Sequence, residues 1–148
     1  MAQEESLAAL TQLLSSYQAF ITYQPLRGEA EFSFVSFPEH SSTIEIPARA
    51  SLDPLEQAAK VVALMGKLDT AIFIPGRRFD TMGTRHGQGG GWYDRFLANV
   101  PRQWLRIGFC FTDQISVVPL KRESWDQAMD YVVAVARETK AITLLASE

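Results

Sequence analysis

The chain has 148 residues, 47% of them apolar and 21% charged, which is the composition of one soluble globular domain. Its formal net charge of −3 argues against a general nucleic-acid or membrane-surface binder. The single cysteine, Cys110, excludes an intramolecular disulfide and a cysteine-built metal site. The N-terminus lacks the basic region of a signal peptide, and no apolar run reaches the roughly 20 residues of a membrane span. We therefore expect one cytoplasmic domain over residues 1–148.

The first half of the chain predicts two helices and three strands. "SLAALTQLLSSY" has leucines at helical spacing, with Ser6 as the N-cap. "AFITYQP" and "EFSFVSFP" read as strands stopped by prolines, and "TIEIPA" is a third short strand. "DPLEQAAKVVALMGK" predicts a helix with Asp53 at the N-cap, Pro54 in the first turn and Gly66 at the end.

The second half alternates apolar strands with one helix. "TAIFIPG" is an unbroken apolar run, as in a strand that is covered on both faces. "WYDRFLANV" predicts a helix that ends before Pro101, and "WLRIGFCF", "MDYVVAVA" and "AITLLA" predict three further strands. The whole pattern predicts an α/β fold, a three-layer αβα arrangement around a mostly parallel or mixed central sheet.

The stretch "DTMGTRHGQGGGWYDRF", residues 80–96, lies between a predicted strand and a predicted helix. In α/β sheets, ligands bind at the carboxyl ends of strands, which is where this stretch falls. Glycine-rich backbone lets successive amide groups face one anion, and the start of a helix adds positive charge. Arg85 offers a planar fork that matches phosphate oxygens. We predict a phosphate-binding loop, whose glycines are Gly87, Gly89, Gly90 and Gly91.

The local charge supports an anionic ligand. Residues 77–122 contain eight lysines and arginines and three aspartates, although the whole chain is acidic. The loop lacks the lysine-serine/threonine ending of a P-loop and the third glycine of the dinucleotide fingerprint. The alternative is a flexible surface turn with solvated charges. That alternative explains one or two glycines but not the arginine and aromatic residues around them.

Asp94 is a candidate metal ligand. A carboxylate in the first turn of a helix is stabilised by the helix dipole, so Asp94 could be a simple capping charge. Beside a polyphosphate it could instead bind Mg²⁺, which takes one or two carboxylates plus phosphate oxygens. Asp126 and Asp130, before a later strand, could each supply the second carboxylate or could serve as turn residues.

The glycine stretch resembles the motif of the 5-formyltetrahydrofolate cyclo-ligase (methenyltetrahydrofolate synthetase) family. "RIGFCF" and "PLKRESWDQAMDYVVA" are similar to two later segments of the same family. The resemblance implies a three-layer, Rossmann-like α/β fold. It also implies ATP-dependent conversion of 5-formyltetrahydrofolate to 5,10-methenyltetrahydrofolate. The central match comprises Pro75, Gly76, Phe79, Asp80, Gly83, Arg85, Gly87, Gly89, Gly91, Tyr93, Asp94 and Arg95.

The resemblance also implies roles for particular residues. Asp94 and Asp126 would hold Mg²⁺, Glu29 and Trp92 would contact the reduced folate, and Arg85 and Tyr93 would be catalytic. The implied ligands are thus ATP, Mg²⁺ and a reduced folate, bound by a monomer or homodimer. The residues expected to hold ATP are Arg85, Gly87, Gln88, Gly89, Gly90, Gly91, Trp92 and Tyr93.

The chain departs from the family pattern at several positions. Members carry a basic first helix that reaches the nucleotide, whereas the first basic residue here is Arg27. Gly90 stands where many members have lysine, His86 where they have leucine, and Ala134 where threonine is common. Two hypotheses therefore remain open. One is a compact cyclo-ligase; the other is a non-catalytic or repurposed relative that binds a nucleotide or another phosphate ligand without cyclising folate.

Overall fold

The computed structural model describes residues 2–31, 35–47, 52–87 and 91–147. Within these ranges no helix is long and apolar enough to cross a membrane. The elements, in chain order, are α1 (Ala2–Leu14), β1 (Ala19–Tyr23), β2 (Ser42–Ile46), α2 (Pro54–Met65), β3 (Thr70–Pro75), β4 (Arg78–Phe79), β5 (Arg85–His86), α3 (Trp92–Leu97), β6 (Leu105–Phe111), a 3-10 turn (Thr112–Gln114), β7 (Tyr131–Val135) and β8 (Ile142–Ala146).

Six strands form one mixed sheet in the order β2-β1-β3-β6-β7-β8. The first five are mutually parallel, and β8 is antiparallel to β7. Every residue of β1 and β3 is buried, as their unbroken apolar sequences predict for strands covered on both faces. The carboxyl ends of β1 and β3 lie side by side, because these strands pair in parallel.

Helices cover both faces of the sheet. On one face, Leu10 and Leu14 of α1 join a buried cluster with Phe20 and Phe73 of the sheet. On the other face, α2 and α3 pack against each other and contribute a second cluster, which includes Phe96. The predicted three-layer αβα architecture is confirmed. The predicted caps of α2 are also present, since Asp53 accepts a hydrogen bond from the amide of Leu55, the second residue of the helix, and Gly66 follows the last turn.

The prediction of Ser6 as the N-cap of the first helix is wrong. α1 begins at Ala2, so Ser6 lies inside the helix. The apolar periodicity that suggested the boundary starts only at Leu7. Residues 2–5 are alanine, glutamine and two glutamates, which are good helix formers and extend the helix upstream.

The strand predicted over "EFSFVSFP" is absent from the part that the structure describes. Residues 35–38 form no strand, and residues 32–34 lie outside the described ranges. The apolar side chains of this segment pack on the sheet. Phe37 stacks on Phe20, with ring centroids 4.6 Å apart, and its edge meets Phe73. The segment therefore covers the sheet beside α1 instead of extending it.

The hairpin β4–β5 was not predicted. It determines the position at which the glycine stretch begins. The buried ring of Phe79 fits between Gly76, which follows β3, and Gly108, in the middle of β6. A methyl group on Gly76 would lie 2.9 Å from the ring, and one on Gly108 would collide with it. The Ser116 amide donates a 2.7 Å hydrogen bond to the Phe79 carbonyl. These contacts attach the hairpin to β3, β6 and the segment after β6.

We predict that Gly108→Ala lowers the free energy of unfolding by about 1–3 kcal/mol, the usual cost of overpacking a core. The added methyl group would press on the Phe79 ring. Urea unfolding should show a lower midpoint with an unchanged slope. The double variant Gly108→Ala/Phe79→Leu should lose less than the sum of the two single variants. A wild-type midpoint for Gly108→Ala would contradict this packing.

Candidate functional site

Asp80 organises the hairpin through three backbone hydrogen bonds. One carboxylate oxygen accepts from the amides of Met82 and Thr84, both at 2.9 Å, and the other accepts from Leu120 at 2.7 Å. The side chain is buried. Burial alone would raise the pKa of Asp80, but the bonds from Leu120, Thr84 and Met82 outweigh it, so the pKa is lowered. Asp80 therefore joins the hairpin turn to the segment before Asp126.

Two further residues fasten the same turn. Gly83 has φ +81°, and a Cβ there would lie 2.5 Å from the Met129 carbonyl, so the close approach requires glycine. Arg122 donates hydrogen bonds of 3.0 and 2.7 Å to the Thr84 hydroxyl and one of 2.8 Å to the Met82 carbonyl. The hairpin is thus held from both the sheet and the later loop.

Arg85 is positioned at the carboxyl end of β3. Its Nε donates a 2.5 Å hydrogen bond to the Pro75 carbonyl, and its guanidinium carbon lies 5.1 Å from the ring centroid of Tyr93. The Tyr93 ring is buried, and the Arg85 guanidinium group packs over it. A side chain at Gly87 would collide with the guanidinium group. Because Gly87 has no side chain, the Arg85 guanidinium group can occupy this space.

Asp94 and Asp126 approach each other across the gap between α3 and the loop before β7. Asp94 accepts a 3.0 Å hydrogen bond from the Gln127 amide, and Asp126 accepts one of 2.7 Å from the Glu123 amide. Burial raises the pKa of Asp94; the Gln127 amide and the Arg85 charge oppose this, and the nearby Asp126 carboxyl adds to it. The net direction is upward. The site thus disfavours two negative charges in the absence of a cation.

An open pocket of about 500 Å³ adjoins these carboxylates. Its floor is one face of α3, and its wall is the loop that carries Asp126. Trp125 projects into it with 63% of its surface exposed. The lining residues are Gly91, Asp94, Arg95, Ala98, Trp125 and Gln127.

Arg106 supports the site and was missed by the motif analysis. It is 4% exposed, and its guanidinium group donates to the Gln127 side chain at 2.7 Å and to the Leu97 carbonyl at 3.1 Å. Burial lowers the pKa of Arg106, and the Arg102 charge adds to this. The arginine connects the end of α3 to the loop that faces Asp94. Its sequence signal was a charged residue inside the apolar run "LRIGFCF".

Asp130, the other candidate for the second carboxylate, has a structural contact. Its side chain accepts a 2.9 Å hydrogen bond from the backbone amide of Arg106, at the start of β6. The Asp130 amide returns a 2.8 Å bond to the Arg106 carbonyl. These bonds align β6 with β7 and leave Asp126 as the partner that interacts with Asp94.

The other predicted site residues lie around this centre or outside the described ranges. Trp92 stacks on Phe96, and its indole donates a 3.0 Å hydrogen bond to the Leu52 carbonyl. Glu29 is buried after β1 and accepts a 2.8 Å hydrogen bond from the Leu26 amide. Their contacts with folate stay predictions. The part of the loop that lies outside the described ranges is Gln88, Gly89 and Gly90.

The glycine stretch leads directly into α3, as predicted. Gly91 precedes the helix with φ +66°, and open space surrounds the position of a Cβ. The helix has only six residues, so its dipole contributes less than that of a longer helix. Among the residues that the structure describes, the main positive charge of the predicted phosphate site is therefore Arg85.

The donor set suits Mg²⁺ that arrives with a phosphate ligand. Two carboxylates plus phosphate oxygens are a usual magnesium environment. Within the described ranges, no group of three or more histidine, cysteine, aspartate or glutamate side chains could hold a metal alone. The pair Asp94 and Asp126 therefore suits a metal ion that is bound jointly by the protein and a phosphate ligand, and not one that is bound by protein side chains alone.

The fold and site define an α/β protein with an open pocket between α3 and the loop before β7. A model of the 5-formyltetrahydrofolate cyclo-ligase family matches residues 7–135, and the chain belongs to this family. Its fold is similar to that of a 5,10-methenyltetrahydrofolate synthetase from Mycoplasma pneumoniae. The TM-score is 0.59 at 19% identity, over 88% of this chain and 83% of the other. No curated protein gives a significant match.

We predict that Asp80→Asn lowers the free energy of unfolding at pH 7 by about 1.5–3 kcal/mol, the scale of a charged hydrogen bond. An amide also sets its NH₂ group against the backbone donors. Because the folded pKa of Asp80 is lowered, its ionised form stabilises the protein above the unfolded pKa of about 3.9. That stability is lost as pH falls through the folded pKa.

Urea unfolding at pH 7 and near pH 3 measures this effect. The loss caused by Asp80→Asn should be smaller at the acid pH. Asp69 is exposed and provides the control: Asp69→Asn should change stability by less than about 0.5 kcal/mol. An Asp80→Asn loss that is equal at both pH values would show that the ionised carboxylate is not the stabilising group.

We predict the opposite sign for Asp94→Asn in the absence of metal. The folded pKa of Asp94 is raised, so ionisation costs stability as pH rises from the unfolded pKa to the folded one. Asparagine removes that cost and keeps an oxygen for the Gln127 amide. Thermal unfolding in EDTA at pH 7 should give a higher Tm for Asp94→Asn than for the wild type.

The matched control is Asp113→Asn. The hydrogen bond from Arg137 lowers the pKa of this exposed carboxyl, so its removal should not raise the Tm. The gain from Asp94→Asn should also shrink as pH falls below the unfolded pKa, where both variants are neutral. A lower Tm for Asp94→Asn at pH 7 would make Asp94 a structural residue.

Proposed function

We propose that this protein converts 5-formyltetrahydrofolate to 5,10-methenyltetrahydrofolate with ATP and Mg²⁺, releasing ADP and phosphate. The single observation that carries the proposal is the placement of Arg85 beside the Asp94–Asp126 pair, at the carboxyl edge of a cyclo-ligase-family fold. The guanidinium group suits the phosphate oxygens, and the two mutually repelling carboxylates suit the metal ion of a metal-bound polyphosphate.

Arg85 and the glycine stretch would hold the phosphate groups. Tyr93 and the Pro75 carbonyl orient the guanidinium group, so less of its freedom is lost when a ligand binds. ATP supplies the phosphoryl group that activates the formyl oxygen. The protein's contribution is to align the two substrates and to neutralise the charge that is transferred.

Asp94 and Asp126 would hold Mg²⁺ in their ionised forms. Because the pKa of Asp94 is raised without metal, protons compete with Mg²⁺ at this site. Mg²⁺ affinity should therefore fall as pH decreases through that raised pKa. On the other side of the site, Glu29 and Trp92 would face the folate ring, since Glu29 follows β1 and β1 neighbours β3.

We predict that the purified protein forms methenyltetrahydrofolate when it is mixed with 5-formyltetrahydrofolate, ATP and Mg²⁺, measured by the absorbance of the product. Arg85→Met should reduce kcat/KM by about 10- to 100-fold, because one charged hydrogen-bonding group to phosphate is lost. Arg78→Met, on the same hairpin but exposed, should keep wild-type activity. Asp94→Asn should be inactive.

The alternative is a relative that binds a phosphate ligand without cyclising folate. It would be indicated if ATP raises the Tm, as ligand linkage requires, while the wild type forms no more product than Asp94→Asn. The absence of lysine and arginine before Arg27 is one of the departures from the family pattern that motivate this alternative. The assay therefore decides whether activity needs that basic helix.

A further inference from the structure

We propose that one corner of the molecule docks on an anionic lipid surface: an apolar tip enters the headgroup layer, and cations beside the tip meet the lipid phosphates. The corner consists of the β4–β5 hairpin and residues 115–122. It shares no residue with the pocket beside Asp94, so docking can be tested apart from the proposed reaction. The apolar tip comprises Met82, Val117, Val118 and Pro119, all of them exposed.

The valine turn of the apolar tip is built by hydrogen bonds. Val117 is 98% exposed and Val118 is 61% exposed. The hydroxyl of the buried Ser116 donates a 2.7 Å hydrogen bond to the Val118 carbonyl and accepts one of 3.3 Å from the Val118 amide. Single exposed apolar side chains are common on protein surfaces, but two consecutive valines on a fixed turn indicate a contact surface.

Backbone hydrogen bonds fasten the valine turn to the hairpin turn that carries Met82. Asp80 accepts from the amides of Met82 and Leu120, and the Ser116 amide donates to the Phe79 carbonyl. The Met82 side chain, 45% exposed, therefore belongs to the same corner as the valines. Because the backbone of the apolar tip is already fixed, little conformational entropy is lost when a surface covers it.

Exposed cations flank the apolar tip on both segments. The His86 ring donates a 2.8 Å hydrogen bond to the Lys121 carbonyl, and His86 pairs with Arg78 across the hairpin, so the two segments meet here. Asp80 is the one acidic residue in 77–86 and 115–122, and it is buried. Lys121 also forms an exposed ion pair with Glu123, which contributes little in water. The four exposed cations are Arg77, Arg78, Lys121 and Arg122.

Apolar side chains and neighbouring cations are the two signals that peripheral membrane binding usually combines, since one signal alone gives marginal binding. Each lysine or arginine near an anionic lipid surface strengthens binding about fivefold. The net charge of −3 opposes membrane binding by the chain as a whole. It does not oppose binding through this corner, because charges more than about 8 Å from the lipid are largely screened at physiological ionic strength. A valine that protrudes almost completely also suits a lipid surface, whereas a protein partner would need a matching pocket.

The first test is co-sedimentation of the full chain with vesicles of phosphatidylcholine that contain about one-third phosphatidylserine, and with vesicles of phosphatidylcholine alone. We expect binding to the mixed vesicles only, and its loss in about 1 M salt. Arg78→Gln/Lys121→Gln should weaken this binding about 25-fold. Lys60→Gln/Lys67→Gln removes the same charge at exposed positions in and after α2, and should weaken it by less than about twofold.

A further pair of variants separates the apolar tip from the cations. Val117→Ser/Val118→Ser keeps the net charge and should weaken binding to the mixed vesicles about 10-fold, because two apolar side chains no longer enter the lipid. Both positions are exposed, so the variant should fold like the wild type, which circular dichroism checks. Arg122 is left unchanged, since its hydrogen bond to the Met82 carbonyl holds the hairpin turn.

A second test locates the contact. Cys110 is the only cysteine and is buried, so an environment-sensitive fluorophore attached to Val117→Cys labels one exposed thiol. The mixed vesicles should shift its emission to shorter wavelength, as expected when a label enters an apolar layer. The same fluorophore on Leu64→Cys, at a 71% exposed position of α2, should show no shift.

Four results would overturn the docking surface. They are no binding of the wild type to the mixed vesicles, equal binding to both kinds of vesicle, full affinity of Val117→Ser/Val118→Ser, and equal emission shifts at positions 117 and 64. Full affinity of the serine variant would make the corner a binding site for polyanions in general. The folate assay contains no vesicles, so failure of the proposed reaction and failure of docking are observed separately.

Discussion

The site depends on how one short hairpin is fixed between β3 and α3. Phe79 fits a slot that exists only because Gly76 and Gly108 lack side chains, and Asp80 saturates three backbone amides with one carboxylate. Neither residue touches the pocket. Together they determine where the chain emerges at Arg85, and hence where its guanidinium group lies relative to α3. A buried charge is tolerated here because its hydrogen bonds are made by backbone groups that would otherwise be unsatisfied. The position of the Arg85 guanidinium group thus follows from the buried contacts of Phe79 and Asp80.

Asp80 and Asp94 show how the surroundings of a carboxyl group decide the direction of its pKa shift. Both are removed from solvent to some degree, which by itself raises the pKa of a carboxyl group. At Asp80, three backbone donors reverse that effect, so the ionised form is the stable one. At Asp94, a single backbone donor and the Arg85 charge do not reverse it, and Asp126 adds repulsion. A carboxylate that the fold leaves poorly compensated is one that a cation can stabilise, and such perturbed groups concentrate at functional sites.

The sequence was sufficient for the layers of the fold, but not for the contacts that join these layers to the candidate site. Unbroken apolar runs identify β1 and β3, and the caps of α2 are readable from its aspartate, proline and glycine. The glycine stretch predicts Arg85 and Asp94 as parts of one ligand site, and in the structure the Arg85 charge acts on the Asp94 carboxyl group. Phe37 was assigned to a strand because the period-two pattern does not distinguish a strand from a loop that lays aromatics on a sheet. The link from Arg106 through Gln127 to Asp94 joins residues distant in sequence, and no local pattern encodes such a link.

The charge balance of the chain also bears on how an anion could be held without a basic first helix. α1 carries no lysine or arginine, and its Leu10 and Leu14 are committed to packing on the sheet. The cations must then come from the segment around the hairpin. Arg106 is buried against Gln127 and Leu97, so its charge supports the wall and is remote from solvent. In the proposed function, Arg85 would therefore contact the phosphate, and a metal held by carboxylates would supply the remaining positive charge. Phosphate affinity in this chain should accordingly depend more steeply on Mg²⁺ than it would in a protein with several cationic contacts.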